Sequence, residues 1–251
     1  ISTNTWSQVK FETVYSTGKN DQARAIVQSL DSGYVVIGST ENFNNNTDVY
    51  LMKADVNGNF EWSQTYGNYG NDQGKDLIVL PDSGFAIVGY TQQVTNSFNL
   101  YFIRTDKHGN VLFSKQFGGS DWDFGYSLQP TSTNGFLLAG ETYIAGKKTA
   151  YLVKIDSLGN LIWEKNYGGN QESTFTDIKI TANGEYLLAG ESTSFGNGRQ
   201  AYILRTDTSG TVIWQKSFGN PGIDFAKSIV ELNTGEIVFA GGTNTAPYSD
   251  I

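Results

Sequence analysis

Acidic side chains that recur at a regular interval are the first residues in this chain that could do chemistry. Each stands at the head of a predicted strand, and one position of the series holds a hydroxyl instead. Carboxylate oxygens suit a hard cation such as Ca²⁺, and a pair of carboxylates can hydrolyse a glycosidic bond. The series is Asp21, Asp72, Asp123, Ser173 and Asp224.

A structural role is the preferred interpretation of these four aspartates. Each carboxylate can cap its own strand or bond to a neighbouring unit, and Asp76 and Asp177 add carboxylates nearby. A general acid and a general base need different environments, whereas these positions look alike. We therefore expect capping first, a Ca²⁺ site at one mouth of a central channel second, and glycoside hydrolysis last. The four aspartates are the candidate ligand-binding residues, and no catalytic residue is assigned.

Other motifs that could carry chemistry are absent or incomplete. His108 is the single histidine and lies in a turn, where a surface role suffices. The run from Gly140 to Lys148 has five residues between its glycines and no Ser or Thr after its first lysine. It therefore does not match a phosphate-binding loop. No nucleophile elbow or metalloprotease signature occurs.

The acidic series belongs to a unit of about fifty residues that is written five times along the 251-residue chain. Three columns keep the same step, and internal repeats of this length indicate a solenoid, a propeller or an array. The glycine column is Gly38, Gly89, Gly140, Gly190 and Gly241; the first aromatic column is Phe11, Trp62, Phe113, Trp163 and Trp214; the second is Tyr15, Tyr66, Phe117, Tyr167 and Phe218.

One unit contains four predicted strands that are joined by short turns. In the second unit, residues 72–80, 85–91, 100–106 and 111–117 read as strands, and the run from Pro81 to Gly84 has turn residues. Both faces of such a meander are apolar and need neighbours to cover them. We therefore predict an all-β fold, a five-bladed β-propeller of four-stranded antiparallel meanders, with a linear stack as the alternative.

The unbroken repeat predicts one domain over residues 1–251. Phe11 and Tyr15 fit the two aromatic columns of a fourth strand, although no earlier strand of a unit precedes them. We therefore predict that the N-terminal strand pairs with the C-terminal blade and closes the ring. Either the natural chain continues past Ile251 or that blade lacks most of its third strand. The units are about 21–71, 72–122, 123–172, 173–223 and 224–251, the last completed by 1–15.

A hairpin signature links the third and fourth strands of four units. It reads D-x-x-G-N/T-x-x-W/F, as from Asp55 to Trp62. The aspartate can cap the free amides of the turn, and the glycine supplies a left-handed residue. A cation stands two positions before each aspartate, as Lys53 does before Asp55. We interpret the signature as a repeated hairpin with an ion pair; a row of ligand sites is the alternative.

The whole unit resembles the bacterial β-propeller repeat family of the SBBP type. The resembling pattern is D-x-G-x-x-I/L, then G-F/Y-x-x-x-G-x-T, then Y-L-x-K-x-D-x-x-G-N-x-x-W-x-x-x-Y-G-G, and it covers essentially the whole chain. That family occurs in long secreted and cell-surface proteins and carries no agreed catalytic motif. The resemblance therefore implies a secreted or cell-surface location in a bacterium and a module that is not an enzyme.

Loops between the second and third strands differ most from unit to unit, at residues 41–47, 92–99, 143–149 and 193–200. Variable loops on a rigid frame usually carry binding specificity, although plain solvated loops would have the same composition. We expect a non-catalytic interaction, adhesion or scaffold module with a protein or glycan partner. The first alternative is a multivalent lectin-like propeller, and the second is a glycoside hydrolase that uses the channel-mouth carboxylates.

Composition argues against several classes of partner. The net charge of −8 would repel a nucleic acid or an anionic membrane, and no apolar run approaches the ~18–20 residues that span a bilayer. Cysteine is absent, which excludes disulfides and thiolate sites. We expect no cofactor, with Ca²⁺ as the alternative. The missing strand of the last unit would leave open edges, where another segment could add a strand.

Overall fold

The computed structural model describes residues 11–42, 44–196, 198–245 and 248–250. These residues form nineteen strands, and none of them forms a helix that could cross a membrane. The strands are β1 Asp21–Gln28, β2 Tyr34–Glu41, β3 Thr47–Ala54, β4 Phe60–Tyr66, β5 Asp72–Val79, β6 Phe85–Gln92, β7 Phe98–Thr105, β8 Val111–Phe117, β9 Asp123–Pro130, β10 Phe136–Ile144, β11 Lys147–Ile155, β12 Leu161–Tyr167, β13 Ser173–Ile180, β14 Tyr186–Ser192, β15 Gly198–Thr206, β16 Val212–Phe218, β17 Gly222–Glu231, β18 Ile237–Thr245 and β19 Tyr248–Asp250.

Within each sheet the consecutive strands of one repeat unit pair with one another, so that each unit is an antiparallel meander. We call them blades: β1–β4 form blade 1, β5–β8 blade 2, β9–β12 blade 3 and β13–β16 blade 4. Strands β17–β19 form a partial blade 5, which a short parallel ladder joins to β15 as one seven-stranded sheet. No sheet closes on itself. The described residues therefore make four complete blades and part of a fifth.

A bulge between the first and second strands explains the glycine column. In blade 2 the register slips between Gly74 and Asp76, so that Lys75 is the extra residue opposite β6. A methyl group at Gly89 would overlap the carbonyl oxygen of Gln73, which approaches because the glycine has no side chain. The same slip recurs in the other blades, where the extra residues are Arg24, Tyr126, Thr176 and Lys227.

The predicted hairpin between the third and fourth strands is confirmed. The Asp55 carboxylate accepts hydrogen bonds from the backbone nitrogens of Asn57 and Asn59, both at 2.8 Å. Gly58 has a φ of 80°, in the left-handed region where glycine is favoured. Equivalent aspartates make the same contacts at Asp106, Asp156 and Asp207.

The predicted ion pair forms with a different partner. Lys53 does not pair with Asp55; its ammonium lies 2.7 Å from Asp31 in the β1–β2 turn and also contacts Glu61. In blade 2 the equivalent Arg104 likewise pairs with the β5–β6 turn. The cation therefore joins two turns of one blade, because the aspartate of its own hairpin is already occupied by backbone amides.

The aromatic columns pack each blade on the hairpin of the next. The hydroxyl of Tyr66 donates to the carbonyl oxygen of Gly109 at 2.7 Å, and that of Tyr167 donates to Gly210 at the same distance. The tryptophans occupy the same place in their blades and are half-buried. The fourth strand is the outermost, so only the adjoining blade covers these rings; they are Trp62, Trp163 and Trp214.

The hydrophobic core lies between neighbouring blades. We call the described series of blades 1 to 5 the arc; at each of its two ends, one apolar face of the end blade is not covered by another blade. Ile26 on β1 is 63% exposed, whereas the equivalent Leu77 is 1% exposed. At the other end Val238 on β18 is 49% exposed, whereas the equivalent Val35 is completely buried. The two ends therefore present the apolar faces that each inner blade covers with a neighbour.

The predicted closure strand falls largely outside the described residues, which begin at Phe11. Residues 11–15 form no strand, but they contact blade 1 as a fourth strand of a preceding blade would. The Phe11 ring lies 5.6 Å from the Tyr34 ring, and the Tyr15 hydroxyl donates to Gly58 at 2.5 Å. Pairing of this segment with β17–β19 is not seen and stays a prediction.

Candidate functional site

The four predicted aspartates each cap the loop that precedes their own strand. Every carboxylate accepts a hydrogen bond from the backbone nitrogen four residues earlier, as Asp72 does from Asn68 at 2.9 Å. The side chains of Asp72, Asp123 and Asp224 are buried by this loop, whereas Asp21 at the open end of the arc is half-exposed. The equivalent bonds are Thr17 to Asp21, Gly119 to Asp123 and Asn220 to Asp224, at 2.8–3.0 Å.

Burial and hydrogen bonding act on the acidity of these caps in opposite directions. Burial raises the pKa of Asp72 and of Asp123 above the usual aspartate value. At Asp21 burial also raises the pKa, but hydrogen bonds from Thr40, Thr17 and Ser16 together outweigh it, and the pKa lies below the usual value. Asp72 and Asp123 are therefore held in a setting that penalises their charge.

Each of the four aspartates therefore forms a hydrogen bond to the loop before its own strand. In the part of the chain that is described, no three His, Cys, Asp or Glu side chains are grouped so that they could hold a metal ion. A ring of carboxylates at a channel mouth and a bound Ca²⁺ both stay predictions. A thermal melt with and without excess EDTA tests the cation, since an unchanged midpoint leaves only the capping role.

Asp76 and Asp177 bond one blade to the next. Asp76 Oδ2 accepts from the Ser127 hydroxyl and from the Leu128 backbone nitrogen, both at 3.1 Å. Asp177 repeats this pattern two boundaries later, between blades 4 and 5, with Ser228 Oγ at 2.9 Å. Burial raises the pKa of Asp76. These two carboxylates therefore serve the structural role that the sequence suggested.

The repeat breaks most clearly along the loop face, which we define as the end of the blades where first strands begin and second strands end. Three columns meet there at each blade boundary, and their residue types change from boundary to boundary. They are Thr47, Asn71 and Gln92 between blades 1 and 2; Phe98, Trp122 and Tyr143 between blades 2 and 3; and Lys148, Glu172 and Thr193 between blades 3 and 4.

An amide-lined cavity occupies the boundary between blades 1 and 2. It encloses about 710 Å³. Asn71 is held at its base, because its Oδ1 accepts from the Thr47 backbone nitrogen at 3.1 Å and its Nδ2 donates to Gln92 Oε1 at 3.0 Å. The lining residues are Asn46, Asn68, Tyr69, Gly70, Asn71, Gln92, Gln93, Val94 and Asn96.

An aromatic patch replaces the cavity at the boundary between blades 2 and 3. Its neighbouring rings have centroids 4.9–6.5 Å apart, mostly in edge-to-face contact. Trp122 is 47% exposed, and Ile144, which follows Tyr143 in the chain, is equally exposed. We define the aromatic patch as Tyr90, Phe98, Trp122, Phe124, Tyr126 and Tyr143.

Charged side chains fill the boundary between blades 3 and 4. The Lys148 ammonium lies 4.0 Å from Glu141 Oε2 and 3.9 Å from Glu191 Oε1, and Arg199 approaches Glu191 to 3.3 Å. Burial raises the pKa of Glu141, although hydrogen bonding from Thr174 opposes that shift. A polar cavity of about 420 Å³ adjoins this cluster.

Sequence reasoning placed specificity in the loops and missed the residues on the strand ends between them. Glu141 entered only within the run from Gly140 to Lys148, which does not match a phosphate-binding loop. The signal that could have found them is positional. Asn71, Trp122 and Glu172 all directly precede the acidic column, and they differ in character while the column itself is kept.

Comparisons with known proteins agree on the fold. Residues 181–212 match a family model described as "Domain of unknown function (DUF5122) beta-propeller". A crystal structure of a protein of unknown function from Dyadobacter fermentans DSM 18053 is similar, with a TM-score of 0.62 and 14% identity over 92% of this chain and 78% of that one. The WD40 domain of Neurospora crassa Pan2 is similar with a TM-score of 0.54 and 11% identity, over 89% of this chain and 62% of that one.

A search of curated proteins found none that matches the chain. The likenesses above are at low identity and therefore show the fold alone, a β-propeller architecture built from four-stranded antiparallel sheets. The narrower resemblance to the SBBP type stays a prediction.

Proposed function

We propose that this chain is a non-catalytic β-propeller interaction module of a larger secreted or cell-surface bacterial protein, with a protein partner docked on the aromatic patch. Trp122, 47% exposed at the top of six contacting rings, is the observation that carries the proposal. Single exposed apolar residues are ordinary, but contiguous exposed patches mark interaction sites. Tryptophan and tyrosine are also enriched among the residues that dominate binding energy.

The frame beneath the patch supports a binding role. Asp123 caps the loop that carries Trp122, and the Tyr143 backbone nitrogen donates to the Trp122 carbonyl oxygen at 2.8 Å. The exposed ring therefore stands on a fixed backbone. A rigid platform loses little conformational entropy on binding, which favours affinity.

Catalysis is not part of the proposal because the pair of carboxylates between blades 3 and 4 is occupied. Glu141 and Glu191 lie in different settings, as an acid and a base require. Lys148, however, stands within 4.0 Å of both. A sugar ring would need that space between the two carboxylates, so the pair is better suited to holding blades 3 and 4 together.

The complete domain, in this proposal, is a five-bladed ring over residues 1–251 that residues 1–15 close at blade 5. The contacts of Phe11 and Tyr15 with blade 1 support it, since they repeat those of the inner blades. Blade 5 also offers an edge for strand addition, because β19 pairs with only the last three residues of β18. A net charge of −8 makes nucleic acid an unsuitable partner.

The experiment compares Trp122→Ala with Val94→Ala as purified full-length chains. Val94 is another highly exposed apolar residue, at the boundary between blades 1 and 2. Binding to immobilised bacterial surface proteins and extracellular-matrix proteins is measured by surface plasmon resonance. We expect Trp122→Ala to weaken binding by at least about thirtyfold, as loss of a central aromatic anchor does. Equal binding by wild type and Trp122→Ala contradicts the patch, and no binding to any surface contradicts the function.

Glycan binding is the second candidate function. The specific observation that favours it is the amide-lined cavity between blades 1 and 2, whose side chains can both donate and accept hydrogen bonds. The cavity lies at a different blade boundary from the aromatic patch, so the two functions are separable by mutation.

A further inference from the structure

The amide-lined cavity between blades 1 and 2 has the size and composition of a ligand site. Its volume of about 710 Å³ is within the range of small-molecule pockets, which is roughly 300–1,000 Å³. Six of its nine lining residues are asparagine or glutamine, and none is charged. In a chain with a net charge of −8, an uncharged cavity points to a neutral ligand.

Part of the lining is already fixed in place by the protein. Gln92 Oε1 accepts from both the backbone nitrogen and the side-chain amide of Asn71, at 2.8 and 3.0 Å. Asn46 Nδ2 donates to the Tyr69 carbonyl oxygen at 2.9 Å and bridges the two blades. These bonds hold the walls in one arrangement before any ligand arrives, which reduces the entropy lost on binding.

Other polar groups of the same lining have no hydrogen-bond partner among the described residues. They are the side-chain amides of Asn68 and Gln93 and the remaining oxygen of Asn46. An amide offers two donors and an acceptor, so adjacent amides match adjacent hydroxyl groups. Tyr69 stands at the rim with 87% of its surface exposed and can cover one face of a ring.

We propose that this cavity binds a neutral oligosaccharide. Asn68 and Gln93 hydrogen-bond vicinal hydroxyls of one sugar unit, Asn71 and Gln92 hold the wall beside them, and the Tyr69 ring lies against the apolar face of the sugar. This inference deepens the second candidate function and does not depend on the aromatic patch.

The corresponding positions of other blades show that the large, uncharged cavity is a feature of the boundary between blades 1 and 2. Between blades 3 and 4 the corresponding space is only about 10 Å³, and charged residues line it, among them Lys148, Glu172 and Arg199. At the head of blade 1 a cavity of about 550 Å³ repeats the asparagines but includes Lys19 and Glu41. A neutral ligand is therefore best served between blades 1 and 2.

Isothermal titration calorimetry of the full chain tests the inference with named probes. The neutral probes are trisaccharides of glucose, mannose, galactose and N-acetylglucosamine, and the anionic ones are sialyllactose and a sulfated trisaccharide. We expect at least one neutral probe to bind with a Kd of about 1 mM or below, and the anionic probes to bind at least tenfold more weakly.

Variants locate the site. Asn68→Ala and Gln93→Ala should each weaken binding about fivefold, the effect of one lost hydrogen bond. Tyr69→Ala should weaken it further without moving the melting temperature, because the side chain is exposed. Ser120→Ala is the matched control, since Ser120 before β9 occupies the position that Tyr69 occupies before β5. The Ser120→Ala variant should bind the saccharide as wild type does.

Three results would overturn the inference: no neutral probe binds, the anionic probes bind equally well, or Asn68→Ala and Gln93→Ala leave affinity unchanged. Trp122→Ala separates this proposal from the interaction module. It should leave saccharide binding intact while it weakens the protein partner. If Trp122→Ala abolishes saccharide binding instead, the sugar sits on the aromatic patch and the cavity assignment is wrong.

Discussion

Single side chains of the aromatic columns contribute hydrogen bonds that stabilise the packing of one blade on the next. The buried hydroxyl of Tyr66 donates to the Gly109 carbonyl oxygen, which lies in the hairpin of blade 2. Burial raises the pKa of Tyr66 well above the usual range, so the phenol stays protonated and remains a donor. Blade 2 has Phe117 at the equivalent position, and the chain has therefore omitted one of these bonds.

The difference between Tyr66 and Phe117 allows a matched pair of variants, one that removes the hydroxyl and one that adds it. Tyr66→Phe should lower the free energy of unfolding by about 1–2 kcal/mol, because a buried carbonyl loses its donor. Phe117→Tyr should raise it, since the new hydroxyl would face Gly159, where the Phe113 ring of blade 2 already packs. Urea unfolding followed by tryptophan fluorescence measures both. A Tyr66→Phe variant as stable as wild type would contradict this role for the hydroxyl.

At the scale of the strands, a bulge in the first strand of each blade sets the register between the first and second strands. Glycine is required at the position of the second strand that faces this bulge. Gly89 faces the Gln73 carbonyl oxygen so closely that any side chain would overlap backbone atoms. Strand β5 therefore cannot keep its register with β6 unless one of them shifts. Because Lys75 is the extra residue of that bulge, the shift would also move a side chain of the loop face.

We expect Gly89→Ala to destabilise the protein by more than about 3 kcal/mol, a loss characteristic of strain that the backbone cannot relieve. Gly119→Ala is the control, because nothing lies within 4 Å of the position that its new methyl group would take. That variant should stay within about 0.5 kcal/mol of wild type. Thermal melts of the two variants compare them directly; similar midpoints would mean that the bulge tolerates a side chain.

Period and turn chemistry were sufficient to predict the strands of the described residues. Alternation over residues 111–117 and the turn residues from Pro81 to Gly84 predicted β8 and the β5–β6 turn, and both formed. The partner of Lys53 could not be predicted, because the sequence offers two aspartates, Asp31 and Asp55, and does not distinguish between them. Only the folded turn shows that backbone amides already occupy Asp55.

The candidate site was harder to predict than the strands. Burial of Asp72 by its own loop depends on that loop folding back over the strand head, which no spacing reveals. The amide cavity joins Asn46 to Asn68 and Gln93 across a blade boundary. This cavity depends on how two sheets pack, and the three residues carry no periodic signal.

At the scale of the molecule, the two ends of the arc are complementary. Leu77 and Val35 belong to one buried cluster between blades 1 and 2. Ile26 and Val238 are their equivalents at the two open ends, and both are about half-exposed or more. Apolar burial contributes about 25 cal/mol per Å², so bringing the two faces together would stabilise the domain. The same packing that buries Leu77 against Val35 therefore favours contact between the exposed faces of the two end blades.

Absence of cysteine from the chain allows a direct test of this closure. In the double variant Ile26→Cys with Val238→Cys, a short bismaleimide reagent should join the two thiols within one molecule if the ring closes. Peptide mapping after proteolysis identifies the link, and size-exclusion chromatography separates it from links between molecules. The control pairs Ile26→Cys with Val94→Cys, an exposed position elsewhere on the loop face, and should not link internally. Deleting residues 1–15 should abolish the internal link, because the proposed closure makes that segment the outer strand of blade 5. A double variant that yields only links between molecules, or none, would mean that the arc stays open.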